Sequence, residues 1–155
     1  MVAVLGFLSG LRSLTPLALV CWIANWGWIP LVGSRLAFLG TTTGAIIVSI
    51  LALGELMADK LPQTPSRTDA APLIARMITG GLCGAAVCLA AGQTWLLGVF
   101  CGVVGSVVGA FAGYHARRLL VQRFRVPDLM VALAEDCTTI AGTLVVFAAT
   151  FTKSG

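Results

Sequence analysis

Six charged residues stand inside or at the edge of apolar runs: Arg12, Glu55, Asp59, Arg76, Glu135 and Asp136. A charge in hydrocarbon costs roughly 2.5 to 3.5 kcal/mol on insertion scales, and a neutral substitution removes that cost, so such groups need partners or a purpose. Glu135 and Asp136 follow Pro127 at a distance of about 12 Å along a helix that opens there. Thr138 and Thr139 on the adjoining turn add oxygens, which makes a hard-cation or proton site a chemical option. Glu55 and Asp59, four apart, share one helix face. Arg12 and Arg76 are the basic residues placed to meet these acids. Arg12 with Ser13 and Thr15 offers another chemistry, anion binding by a guanidinium, two hydroxyls and backbone amides freed near Pro16. The plain structural alternative is a set of buried ion pairs that fixes helix register.

Other chemistries lack their residues. There is one histidine, His115, beside Arg117 and Arg118, and no G-x-S-x-G, H-E-x-x-H or P-loop motif. Neither an enzyme nor a bound cofactor is expected. Cys21, Cys83, Cys88, Cys101 and Cys137 form no C-x-x-C pair and read as small apolar packing residues.

The elements that position these residues follow from composition. The 155 residues are 58% hydrophobic and 10% charged, with a mean hydropathy of +0.98. Soluble domains carry about 25% charged residues, so lipid is the expected solvent. Apolar segments run approximately over 2–24, 36–56, 73–91, 95–114 and 129–151. They are continuously apolar rather than alternating, so helices satisfy their backbone better than a barrel would. A single all-α domain over 1–155 is expected, a polytopic transmembrane helix bundle of about five spans, with its start retained rather than cleaved. The stretch Gly10-Leu-Arg-Ser-Leu-Thr-Pro16 interrupts the first span, which is expected to be kinked or re-entrant.

Charge orients the bundle. Lys60 and Arg67 lie after the second segment, and Arg117, Arg118, Arg123 and Arg125 after the fourth, while Trp22, Trp26, Trp28 and Trp95 gather at the opposite ends. The basic loops and the amino terminus are therefore expected in the cytoplasm and the carboxyl terminus outside. This placement explains the net charge of +4 without nucleic acid. Gly98, Gly102, Gly105, Gly109 and Gly113 form one stripe that brings another helix close, in the same chain or a second copy, and a homo-oligomer is expected. Aligning Gly54 with Gly113 suggests a thin parallel repeat. The proline-limited loop from Asp59 to Asp69 reads as a rigid connector.

The Gly10 to Pro16 stretch and the run Gly54-Glu-Leu-Met-Ala-Asp-Lys-Leu-Pro-Gln-Thr-Pro-Ser-Arg-Thr68, continuing through Pro72 and Arg76, resemble a family of small bacterial integral membrane proteins classed as domain of unknown function 4126. The resemblance implies a bacterial inner membrane and carries no catalytic residue. The resulting expectation is a small inner-membrane transporter or channel. Glu135, Asp136 and Thr139, helped by Glu55 and Asp59, form its cation or proton site, with Arg12, Ser13, Thr15 and Arg76 beside them. Membrane lipids and a small ion or solute are its expected partners. The alternative is a non-transporting scaffold or lipid-binding protein held by internal ion pairs.

Overall fold

The computed structural model describes residues 1–31, 33–34, 36–58, 70–124 and 127–151. Among these residues the protein is all-α, with no strand. The described residues form six α-helices: α1 (Val2–Leu11), α2 (Leu14–Asn25), α3 (Thr42–Ala58), α4 (Ala70–Ala90), α5 (Trp95–Phe124) and α6 (Asp128–Phe151). A 3-10 turn at Ala37–Gly40 precedes α3.

Three of these helices, α4, α5 and α6, are long and apolar enough to cross a membrane, which points to a membrane protein. The described helices do not confirm the expected count of about five. The second apolar segment forms α3, whose 17 described residues at 1.5 Å per residue cover about 25 Å. The first segment is divided into two half-length helices, α1 and α2. Broad apolar faces point outward, including Ile50 at 62% and Phe100 at 69% exposure, as lipid-facing side chains would.

Glycines set the helix directions. Gly84 meets Gly98, and Gly80 meets Gly102, so α4 and α5 run antiparallel with their backbones in contact. Gly6 meets Gly102, and Gly10 meets Ser106, so α1 runs parallel to α5; Gly105 and Gly109 face the α1 backbone at Ala3 and Phe7. The α5 stripe therefore serves two partners, both within the chain, and Gly113 at its end is buried. The stripe itself no longer calls for a second copy. Gly102→Ala would drive its Cβ into the Gly80 carbonyl, whereas a Cβ at Gly54 in α3 meets nothing. Gly102→Ala is thus expected to destabilise by about 2 kcal/mol or more. Gly54→Ala should stabilise by about 0.5 to 1 kcal/mol through helix propensity alone. Thermal unfolding of the two variants in one detergent checks the pair.

The first segment folds back on itself. Its turn, at Arg12 and Ser13, lies against Arg76 near the start of α4. From there α1 leads back to Val2, which packs at Gly84, and α2 leads to Cys21, which lies beside Cys83. Both arms thus return along the same stretch of α4. On its other side α2 runs antiparallel to α3, with Trp22 Nε1 donating to Ser49 and Asn25 to Gly40 and Thr42. The amino terminus consequently lies at the end of the bundle opposite the Arg117 and Arg118 end, which corrects its expected placement beside the basic loops. Pro16 is the third residue of α2. In a first turn its missing N–H removes no helix bond, so it starts a helix rather than kinking one. Pro72 holds the same position in α4. At the other end of α4, Gly92 takes a φ of +65 that closes the turn into α5.

The apolar core lies between the hairpin, α4 and α6, built on Leu5, Val20, Cys21, Cys83 and Phe147. Cys21, Cys83 and Cys88 are buried, whereas Cys101 is half-buried and Cys137 exposed, so the packing role falls to three of the five.

Candidate site at the hairpin tip

A chain reversal inside a bundle leaves backbone groups without helix partners, the last carbonyls of α1 and the first amides of α2. Side chains from two other helices meet them. Arg76, on α4 and 3% exposed, donates Nη1 to the Gly10 carbonyl and, at 3.4 Å, to that of Leu11. A guanidinium at a helix C-terminus also complements the helix dipole. Thr79 donates to the Arg76 carbonyl one turn on.

Glu55 closes the other half. Its Oε1 accepts from the Ser13 amide at 2.9 Å and from the Ser13 hydroxyl in a very short bond, and its Oε2 accepts from the Leu14 amide at 2.9 Å. Ser13 is the N-cap residue of α2 but makes no side-chain cap bond of its own. The carboxylate from α3 performs that task, with the sign that the positive helix end favours.

Arg12 sits at the turn itself, in extended backbone and 1% exposed. Its Nε lies 2.6 Å from Asp136 Oδ1 on α6. The two atoms are not aligned as a hydrogen bond, so the contact is one of charge. The neighbouring Glu135 points elsewhere, because successive helical residues diverge by about 100°. Its Oε2 is 4.0 Å from Arg117 Nη1 on α5. The expected twin-carboxylate site is thereby split between two guanidinium groups.

The hydroxyls are also committed along their own helix. Thr138, Thr139 and Thr143 donate to the carbonyls of Ala134, Glu135 and Thr139. Thr139 is fully buried one turn beyond Asp136, whereas Thr138 faces outward. Thr15 Oγ1 is buried and has no hydrogen-bond partner among the described residues. Asp59, and the loop over 59–69 with it, lies outside the described residues.

Of the residues singled out by sequence, the structure brings together Arg12, Ser13, Glu55, Arg76 and Asp136 at the hairpin tip. It sets Glu135 apart with Arg117. Three guanidinium groups and three carboxylates, from Arg12, Arg76, Arg117, Glu55, Glu135 and Asp136, cancel in formal charge. Among the described residues no group of three or more His, Cys, Asp or Glu gathers as a metal ion would require. A bare cation here would compete with arginine for Asp136 and Glu135 and with backbone amides for Glu55, whereas a proton can exchange on a carboxylate without a vacant coordination shell. His115 lies outside this cluster, in edge contact with Tyr114 at 5.5 Å.

Sequence reasoning missed Arg117 as the partner of Glu135 and the α2 amides as the partners of Glu55. The first left no sequence signal, since Arg117 reads as one of a run of basic loop residues. The second had one, in a proline two residues after Leu14, the spacing of a helix start.

A family model described as Domain of unknown function (DUF4126) matches residues 1–152. Neither a curated protein nor a solved structure matches the chain. With nearly its full length matched, the chain belongs to the family of domain of unknown function 4126.

Proposed function

We infer that the protein is a small membrane transporter whose working site is the hairpin tip, and that its carboxylates exchange protons as the site opens and closes. The observation that carries this reading is the chain reversal at Arg12 and Ser13, in which charged side chains from α3 and α4 hold interrupted backbone and one from α6 meets Arg12 among apolar helices. Interrupted helix at membrane depth is tolerated where it is enclosed by protein or lines a wet cavity, and transporters place substrate sites at such breaks. In this reading the hairpin is re-entrant, entering and leaving on the side opposite the arginine-rich ends, with those ends in the cytoplasm of a bacterial inner membrane. A proton taken up by Glu55 weakens its hold on the Ser13 and Leu14 amides, and one taken up by Asp136 releases Arg12. Either event frees donors that bind an anionic or polar solute.

The second reading, a non-transporting protein whose charges only fix the helices, draws support from the engagement of Glu55, Glu135 and Asp136 by donors within the chain. It also accommodates a homo-oligomer built on the outward apolar faces.

Vesicles reconstituted with the protein and loaded with a pH dye distinguish the two. Transport predicts proton movement when a candidate small solute is added under an imposed pH gradient, lost in Glu55→Gln. A cysteine at position 136, in a background cleared of native cysteines, is expected to react with a membrane-impermeant thiol reagent from at least one side. No proton movement with any solute, together with an unreactive position 136, would sink transport in favour of the structural reading.

A further inference from the structure

Between α4 and α5, on the outer side of their glycine contact, runs an apolar groove of about 370 Å³ lined by Ile74, Met77, Ile78, Gly81, Val99 and Val103, among others. Gly81 lies at its floor, where an added Cβ would come within 3.3 Å of the Val103 side chain. On α5 the groove is lined by Val99 and Val103. At 100° per residue, Tyr114 falls within about 20° and Arg118 within about 60° of the Val103 direction, so both continue the same face.

Length gives that register a meaning. α5 has 30 residues and spans about 45 Å, beyond a hydrocarbon core of about 30 Å. Measured from Trp95, the excess begins near Tyr114 and carries His115, Arg117, Arg118 and Arg123, with no acidic residue anywhere in α5. Arg117 is engaged by Glu135. Arg118 is exposed, and its Nε donates to Gln122 at 3.2 Å, one helical turn on. That bond uses the inner nitrogen of the fork and leaves the two terminal nitrogens for an acceptor. From Val103 to Arg118 the rise is about 22 Å, which equals the distance from a bilayer midplane to its headgroup layer.

We propose that the α4–α5 groove and Arg118 together form a binding site for one anionic glycerophospholipid, drawn from the leaflet at the arginine-bearing end of α5. An acyl chain lies in the groove, and the phosphate sits on the Arg118 guanidinium, which suits it in shape and charge. Arg123 adds positive charge further along and disfavours a choline headgroup. Charge sets this occupant apart from a second copy of the chain, because the basic α5 end would face its own like charge across a symmetric pair of grooves.

The test uses the full-length protein in detergent, with native mass spectrometry and thermal unfolding. Phosphatidylglycerol and phosphatidylcholine of identical acyl chains are compared, with soluble glycerophosphate as a headgroup without a tail. One phosphatidylglycerol is expected to remain bound and to raise the unfolding midpoint by several degrees. Phosphatidylcholine should do so at least about fivefold less tightly, and glycerophosphate not at all. Arg118→Gln should abolish the preference for the anionic lipid, and Ile78→Trp, at a position 58% exposed, should block the groove. Neither variant should change the midpoint without lipid. Equal retention of the two lipids overturns the proposal, as does unaltered retention in both variants. So does a dimer that Ile78→Trp converts to monomer, which would assign the groove to a second copy.

Discussion

Glu55→Ala is expected to lower the thermal midpoint by about 10 °C, a large effect for a side chain on an otherwise apolar helix. Three donors lose their acceptor together, the amides of Ser13 and Leu14 and the Ser13 hydroxyl. Leaving buried donors unsatisfied costs about 1 to 3 kcal/mol each, and Ser13 is buried. Even with partial rescue by water, about 3 kcal/mol should be lost, which for a chain of this size corresponds to about 6 to 12 °C. Graded variants locate the cause. Glu55→Gln keeps one carbonyl oxygen for Ser13 but turns an amide group toward the Leu14 N–H, so about half the loss should remain. Ser13→Ala removes only the hydroxyl contact and should cost about 1 kcal/mol. If Glu55→Gln and Glu55→Ala unfold alike, the charge rather than the hydrogen bonds holds α2. If neither moves the midpoint, Glu55 is not the cap that the geometry describes.

How much of this was legible in the sequence depends on which kind of signal each residue leaves. Arg12, Glu55, Arg76 and Asp136 were legible because charge at membrane depth is costly wherever it occurs, and a residue kept against that cost announces itself. Their convergence was legible only as a condition, that the helices pack around a common centre. Glu135 shows the limit. Adjacency in sequence suggested a shared site with Asp136, while helical geometry turns neighbours apart, one to Arg12 and the other to Arg117.

The fold was legible in class and less so in path. Continuous apolar runs identify helices but are apolar all round, so they carry no face to indicate which neighbour a helix takes or in which direction it leaves a break. A kinked span and a hairpin are written with the same residues over Gly10 to Pro16. Contacts decide between them, since α1 leads back to Gly84 and α2 to Cys83 along the same stretch of α4, and no composition signal marks that return. The glycine stripe behaved in the opposite way. Its close contact was legible from spacing, but its division between α4 for Gly98 and Gly102 and α1 for Gly105 and Gly109 needed the three-dimensional arrangement.

The pair Arg12 and Asp136 separates the two functional readings most sharply. Arg12 is 1% exposed and Asp136 a fifth exposed, so removing either leaves the other charge in poor surroundings. Arg12→Met and Asp136→Leu are each expected to destabilise by about 3 to 5 kcal/mol, whereas the double variant should recover most of that loss, because a buried pair gains little over an apolar one of similar volume. A double-mutant cycle on unfolding midpoints measures the coupling directly. A recovered double variant then becomes the instrument for function. If it is as stable as the parent protein and vesicles containing it move no protons where the parent does, the pair belongs to the transport step and not merely to the frame. If it is stable and proton movement persists, the exchanging proton resides on Glu55. Additive losses, with no recovery in the double variant, would mean that Arg12 is held at the hairpin tip by something other than Asp136.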